Sequence, residues 1–369
     1  MIYKLCDLAQ IKYGKNQSKV IDVNGKYPIF GTGGLMGYSK DYLYDKPSVL
    51  IGRKGTIDKV KYIDCPFWTV DTLFYTIINE KIIFPKYLYY LLQNVDLLKL
   101  NEGTTIPSLR TETLNRLEFD VPDKGIQLKT IALINGIDEK IAKNNEINDN
   151  LLNQAITIFN SFIDGKEKNG CIGDYCTVKS GFAFKSNWWT ESGVKVIKIG
   201  SINQDELDLN SCSFVGKDKV EKAKEFCVVG GDLLIAMTGA TIGKFTMVPS
   251  INEPILVNQR VGKFFLGRKP IERLPYIYCT LKQPDVFSEV INRGQGSAQP
   301  NISGGDIMSI PCVILNNDLI NDFNKKTQPL FNMLIDNQKE NKELSELRDT
   351  LLPKLMSGEI DVSNIKLDL

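Results

Sequence analysis

The sequence predicts an α+β protein in which one plan is used twice: a β-rich mixed α/β block and then a long helix, followed by a second such block and a second helix. Three observations predict this. First, Ile134, Ile137, Ile141, Asn144, Asn148, Leu151, Ala155, Ile158 and Phe162 are spaced alternately by three and four residues. That is a heptad seam, and it marks a helix packed along one stripe. Second, adding 193 to each number gives Thr327, Leu330, Leu334, Asn337, Asn341, Leu344, Arg348, Leu351 and Leu355, a second seam with Asn at the same two places. Third, landmarks in the blocks recur: Leu5–Gly14 matches Ile172–Gly181 at an offset of 167, and Gly103–Leu109 matches Gly296–Ile302 at 193. A long unit that occurs only twice points to duplicated domains rather than a solenoid.

The elements follow in order. Val49–Gly52 and Thr72–Ile78 read as strands, and Tyr87–Leu92, after Pro85, as a short helix. Gly31–Gly37 reads as a flexible loop. Gly55–Lys59 resembles Ala240–Lys244 at an offset of 185. The first long helix is expected from Ile126–Gln127 to Ile163, between the breakers Pro122 and Gly125 and the pair Asp164–Gly165. In the second block, Val194–Ile199, Leu233–Met237 and Val261–Leu266 repeat the strand pattern. The second long helix is expected from Pro329 to Met356, with a shorter helix from Leu319 before it. Pro353 is expected to kink its last turns, and Gly358 to stop it. The expected domains are therefore residues 1–123, 124–165, 166–315 and 316–369.

Composition excludes several classes. The chain of 369 residues contains no His, which removes Ser-His-Asp triads, Cys-His nucleophiles and imidazole acid-base work. Eight scattered Cys include no CxxC pair, so a zinc site is not expected, and buried thiols are. No apolar run approaches the ~20 residues of a membrane helix, and Met1–Leu5 lacks a signal-peptide pattern, so a cytoplasmic protein is expected. Gly31–Gly37 misses the dinucleotide-loop spacing, and Gly239–Phe245 lacks the P-loop spacing. No two prolines are adjacent, so the Asn-Pro-Pro and Asp-Pro-Pro methyltransferase motifs are absent. No catalytic, metal or cofactor site is therefore expected. Net charge is +1, but the two blocks carry +2 and +3 while the two helical stretches carry −1 and −3.

What remains is polar and basic residues on glycine-rich loops of both blocks. The candidates are Arg53, Lys54 and Thr56 in the first, and Thr238, Thr241, Gln259, Arg260, Arg293 and Gln295 in the second. Lys59, Arg110, Lys198, Lys244 and Asn301 complete the set. Glycine lets backbone approach a phosphate closely, and Arg, Gln and Asn read guanine and adenine edges bidentately. Ordinary turn chemistry explains any one loop; two blocks presenting such loops on one frame favour nucleic-acid binding. A coiled-coil adaptor with protein- or carbohydrate-binding blocks, and an enzyme with an unrecognised site, are the competing readings. The four seam residues Asn144, Asn148, Asn337 and Asn341 are expected to form a buried polar cluster that fixes helix register.

The chain resembles the specificity subunit of type I DNA restriction-modification systems. The residues that carry this are Leu347–Ile360, then Gly296–Ile302 and Tyr27–Gly34. One departure is the entry to each helix, where the family's Pro-x-x-Glu-Gln pattern is reduced to Ile126–Gln127 in the first copy and replaced by Asp318–Ile320 in the second. The resemblance implies two target recognition domains, residues 1–123 and 166–315, each reading half of a split double-stranded DNA sequence. It implies that the helices form an antiparallel coiled coil with pseudo-twofold symmetry. It further implies docking of two adenine-N6 methyltransferase (M) subunits, with ATP-driven restriction (R) subunits as further partners in some systems. S-adenosylmethionine and ATP would belong to those partners, leaving this chain without a cofactor and non-catalytic. Base-contacting residues differ among members, so the candidate sites rest on residue chemistry.

Overall fold

The computed structural model describes residues 1–294 and 300–365. Two compact units divide the chain. Unit 1 comprises Met1–Glu139 and the segment from Ser345 onward; unit 2 comprises Lys140–Leu344.

Unit 1 is organised around a four-stranded antiparallel sheet of β1 (Ala9–Tyr13), β2 (Ser48–Gly52), β3 (Val60–Ile63) and β4 (Leu73–Ile78), in the order β1-β4-β2-β3. All five β2 residues are buried, as expected for a central strand. A smaller sheet of Tyr27–Gly31, Gly34–Ser39 and Trp68–Thr69 lies beside it. The glycine-rich run Gly31–Gly37 is therefore a β-hairpin, not the flexible loop expected. Gly34, with φ of 124°, supplies a conformation that L side chains resist at the turn. Helix α1 (Pro85–Gln93) turns Tyr87, Leu88, Leu91 and Leu92 into the core with Val49, Ile51 and Phe74.

Unit 2 repeats the frame. Strands β5 (Thr177–Ser180), β6 (Leu233–Ala236), β7 (Phe245–Met247) and β8 (Val261–Phe265) are ordered β5-β8-β6-β7, also antiparallel. The parallel pairing of Ile29 with Trp68 in unit 1 recurs as Val196 with Leu256. The extra residues of the second block enlarge that second sheet to five strands, Trp189–Thr190, Ser213–Val215, Val194–Ile197, Ile255–Val257 and Cys227–Val228. Helix α3 (Leu274–Leu281) is buried along its whole length. Small devices repeat as well. Asp7 accepts from Lys4 N at 2.9 Å and Asp174 from Cys171 N at 2.8 Å, each closing its own short helix.

The long helices are α2 (Lys124–Ile163) and α4 (Asn317–Met356), of 40 residues each. Their starts differ by 193, the offset of the seams. In unit 1, Gln127 is buried and fixes the start of α2. Its Nε2 donates to the Ile82 and Pro122 carbonyls at 3.0 and 2.9 Å, and its Oε1 accepts from Phe84 N at 2.9 Å. In unit 2 the matching position is Ile320, and Asn324, one turn on, accepts from Tyr276 N at 3.0 Å. The two copies thus clasp the neighbouring short helix from positions one turn apart, which is why the entry motif looks lost in the second.

The expected break at Pro329 does not occur: α4 runs through it. Proline here removes one helical bond, a loss of about 3 kcal/mol with its ring clash. Phe323, Thr327, Phe331, Leu334 and Ile335 are buried around it and outweigh that loss. Pro353 also lies within the helix, which stops at Met356. Gly358, with φ of 76°, then turns the chain so that Ile360 N reaches the Lys354 carbonyl at 3.2 Å. Ile360, Val362 and Ile365 fold back on Tyr90, Ile134, Leu352 and Leu355.

The helices pair antiparallel. Within unit 2, Asn144 Nδ2 donates to Asn341 Oδ1 at 2.9 Å, and Asn337 Nδ2 to Asn148 Oδ1 at 2.8 Å. The 193-residue repeat converts one bond into the other, as local twofold symmetry requires. Asn341 also donates to Asn145 at 2.8 Å, and Asn144 to Glu340 at 2.6 Å. Asn144 is fully buried, while Asn148, Asn337 and Asn341 are half-buried. Within unit 1, Arg348 holds Asp138 at 3.0 Å beside Ile134 and Leu352. The partners are crosswise, 144 with 341 and 148 with 337. Asn337→Leu alone should lower stability by about 1–3 kcal/mol, since it strands the Asn148 amide. Adding Asn148→Leu should recover that loss or exceed it, read by denaturant midpoints. A double variant as weak as the single one would exclude the pairing.

A second buried polar feature lies in unit 2, where Lys263 Nζ sits 2.9 Å from Asp232 and donates to the Cys227 carbonyl at 2.7 Å. Burial pushes the Asp232 carboxyl above its usual range, and the Lys263 ammonium pulls it back. Asp232→Ala should cost about 3–5 kcal/mol, because it leaves a buried ammonium unpaired. Adding Lys263→Met should restore most of that. A loss under 1 kcal/mol for Asp232→Ala, by chemical denaturation, would contradict the ion pair.

Candidate nucleic-acid interface

The candidate residues of unit 1 gather where β2 ends. A Cβ on Gly52 would lie 2.1 Å from the Thr56 carbonyl oxygen, so only glycine lets the chain turn so tightly. Gly55 adopts φ of 88°, and Ile57 is fully buried and anchors the far side. A second loop zips onto this one. Gly55 N donates to the Pro107 carbonyl and Leu109 N to the Arg53 carbonyl, both at 2.9 Å, and Lys54 bridges Ser108. Asn101 Oδ1 accepts from Gly103 N and Ser108 N, also at 2.9 Å. The paired loops present Lys54, Thr56 and Lys59 to solvent.

Unit 2 builds the same pair of loops. Gly239, with φ of 72°, donates from N to the Pro300 carbonyl at 3.0 Å. Ile302 N donates to the Met237 carbonyl at 2.9 Å, and Thr238 bridges Asn301. Each contact has its counterpart in unit 1. Gly55 therefore corresponds to Gly239, an offset of 184 rather than the 185 read from sequence. Gly243 and Gly294 are closed in by Ile291 and Ile242; a Cβ on either would lie 2.5 or 2.2 Å from those side chains. The Thr238 hydroxyl is buried and has no hydrogen-bond partner among the described residues. Thr241 donates its hydroxyl to the Thr238 carbonyl at 3.4 Å, and Lys244 follows in the same loop, half-buried.

Arg260 joins this cluster through its backbone: its carbonyl accepts from Met237 N at 3.0 Å. Gln259 and Arg260 are exposed, and Gln259 N donates to the Phe182 carbonyl at 3.0 Å. Lys198 lies over the Trp189 ring, 3.7 Å from its centre. Gln295 lies outside the described residues.

Three candidate arginines already have protein partners. Arg53 donates to the Asp71 carbonyl at 2.9 Å and lies 5.0 Å from the Tyr13 ring centre. Arg110 is exposed and pairs with Glu102 at 3.1 Å. Arg293 pairs with Glu289 at 3.2 Å and donates to the Asp306 carbonyl at 2.9 Å and to Ser309. The guanidinium of Arg293 thus staples α-helical residue to loop within the unit, a role the glycine-rich context did not suggest.

Half of the cysteines depart from the expected buried thiols. Cys176, Cys212, Cys279 and Cys312 are buried, Cys171 and Cys227 half-buried, and Cys6 and Cys65 exposed; all eight are free. Burial pushes the Cys176 and Cys312 thiols up to about 12, which makes them inert. Among the described residues no group of His, Cys, Asp and Glu could hold a metal ion, and no helix is long and apolar enough to cross a membrane.

The chain thus carries one β-rich frame twice, each copy with its own loop pair and followed by a long helix, and the two long helices pair antiparallel. Residues 1–153 and 165–316 each match the type I restriction modification DNA specificity domain, and the chain belongs to that family. Among curated relatives it is similar to the type I restriction enzyme MjaIX specificity subunit of Methanocaldococcus jannaschii, 24% identical over 359 residues that cover 88% of this chain and 80% of the relative. It is also similar to the HindI specificity subunit of Haemophilus influenzae, 23% identical over 402 residues covering 87% and 86%. Among solved structures, the S subunit of a type I restriction-modification system from M. genitalium has the same fold, with a TM-score of 0.58, 19% identity, and coverage of 96% of this chain and 95% of that one.

Proposed function

We propose that this chain is the non-catalytic DNA-reading subunit of a type I restriction-modification complex, acting in the cytoplasm. Residues 1–123 read one half of a bipartite duplex target, and residues 166–315 read the other. The helical regions 124–165 and 316–369 set the unread spacer and dock adenine-N6 methyltransferase subunits, with restriction subunits joining where the system cleaves.

One observation carries this reading. The two units hold a loop pair by the same backbone bonds, Gly55 to Pro107 and Gly239 to Pro300, yet present different side chains from it: Lys54 and Thr56 in one, Thr238 and Ala240 in the other. A constant frame with variable presented groups is what reading two different half-sites requires. An adaptor with two like binding sites has no such need. The DNA-contact set proposed is Lys54, Thr56 and Lys59 in the first block, and Thr238, Thr241, Lys244, Gln259 and Arg260 in the second.

Methylome sequencing of cells carrying this chain with its methyltransferase partner tests the proposal. The expected result is a methylated-adenine motif in two parts with a fixed spacer. The purified chain alone should neither methylate nor cleave DNA, and its binding to duplex should weaken steeply with salt. Methylation by the isolated chain given S-adenosylmethionine would overturn the scaffold reading, and a continuous methylated motif would overturn the two-block reading.

A further inference from the structure

Unit 2 carries a tryptophan-lysine cluster with no counterpart among the described residues of unit 1, where Arg53 over Tyr13 is the basic-aromatic contact beside the loop pair. Phe182 and Trp188 stack with ring centres 6.0 Å apart and planes 13° off parallel. Around Trp188 stand three lysines: Lys219 at 5.1 Å from the ring centre, Lys222 at 5.3 Å and Lys185 at 5.9 Å. They come from separate segments, Lys185 before the turn Ser186–Trp188, Lys219 and Lys222 from the turns Lys217–Lys219 and Glu221–Phe226. Lys219 pairs with Asp218, Lys224 with Glu221 at 3.2 Å, and Lys179 with Glu225. Lys185 and Lys222 are exposed and make no direct ion pair among the described residues, though Lys222 also acts on the Asp218 carboxylate that Lys219 holds. An ammonium held near an indole ring keeps its charge and its outward donors while its stem is ordered.

The face is continuous with the reading loops. Phe182 bonds Gln259 through backbone, and Arg260, the next residue, bonds Met237 at the base of the Thr238 loop. In unit 1 the corresponding positions are different. Lys15 N donates to the Thr69 carbonyl and Phe182 N to the Val257 carbonyl, both at 2.8 Å, so Lys15 occupies the place of Phe182. The acceptors Thr69 and Val257 differ by 188, and that offset puts Asp71 opposite Gln259 and Thr72 opposite Arg260, with no tryptophan-lysine cluster there among the described residues.

We propose that Lys185 and Lys222, ordered on Trp188, grip the phosphate backbone of duplex DNA beside the half-site read by unit 2. This rests on the DNA-reading function proposed above. It makes the two reading domains unequal: the second adds two sequence-independent phosphate contacts to the salt-sensitive binding that both domains share.

The test uses the full-length chain carrying K185Q and K222Q, with two probes, a duplex bearing the methylated motif and a random-sequence duplex. Binding is measured across a salt series. Two lost phosphate contacts should flatten the slope of log affinity against log salt by about 1.8, equally for both probes. The control K269Q, at the opposite end of β8 from Arg260, should leave the slope unchanged. An unchanged slope in K185Q/K222Q, with wild type binding normally, overturns the clamp but leaves the reading function standing. Weaker binding to the motif duplex alone also overturns it, because the lysines would then be reading bases. If the wild-type chain binds neither duplex, both proposals fall.

Discussion

Exchanging residues 1–123 for the corresponding block of a relative should convert one half of the methylated target and leave the other half untouched. The expected effect is large. Each mismatched base pair costs about 1–3 kcal/mol, so losing a half-site of several base pairs abolishes methylation at the old target. The structure says what the exchange must preserve. The loop pair of unit 1 is held by Asn101, Pro107 and Leu109, all inside the exchanged block. The joint to the helix is not. Gln127 holds the Ile82 carbonyl and Phe84 N, and Tyr90 packs on Ile134 and Leu352. A donor block with an apolar residue at position 84, proline at 85 and an aromatic at 90 should dock on the same helix. Methylome sequencing reads the outcome directly. If both halves of the target change together, one block does not read one half-site.

Much of the frame was legible because its signals are local or periodic. The seams and their 193-residue repeat follow from a heptad pattern that any window reveals, and α2 begins two residues before the expected Ile126, whereas α4 begins at Asn317 and not at Pro329. The central strands β2, β4, β6 and β8 stand out as apolar runs bounded by glycine or polar turns. What was not legible depends on contacts distant in sequence. Pro329 reads as a helix start, and only the burial of Phe331, Leu334 and Ile335 against the rest of unit 2 shows why the helix continues through it. The offset of 185 aligned Thr56 with Thr241 by similarity of side chains. The backbone bonds to Pro107 and Pro300 align Gly55 with Gly239 instead. Arg293 looked available in a glycine-rich stretch, yet Glu289 and the 306–309 turn claim it. Lys185 and Trp188 are separated by about thirty residues of chain from Lys219 and Lys222, so composition could not bring them together.

Lengthening the coil by one turn should lengthen the unread spacer of the target, if the coil sets that spacer as we propose. Each long helix of 40 residues spans about 60 Å at ~1.5 Å per residue. The antiparallel pairing dictates how the change must be made. Four residues inserted after Asn148 alone would put the two halves of the pairing four residues out of register, so that the Asn148–Asn337 bond and the packing of the residues after Asn148 could not both be kept. Because the repeat relates Asn148 to Asn341, the matching insertion belongs after Asn341. Duplicating Asn145–Asn148 and Gln338–Asn341 together adds about 6 Å to both helices and keeps an Asn opposite an Asn. With DNA rising ~3.4 Å per base pair, the preferred spacer should grow by one or two base pairs. The rotation is compatible as well: four residues exceed a turn by about 40°, and one base pair of DNA turns by about 35°. The half-site sequences should stay as they were, because every loop contact lies outside the inserted segments. The single insertion after Asn148 is the informative control, since it should lose stability and methylation rather than shift the spacer. Full methylation of the old spacer by the double-insertion protein would mean that the helices do not measure the distance between half-sites.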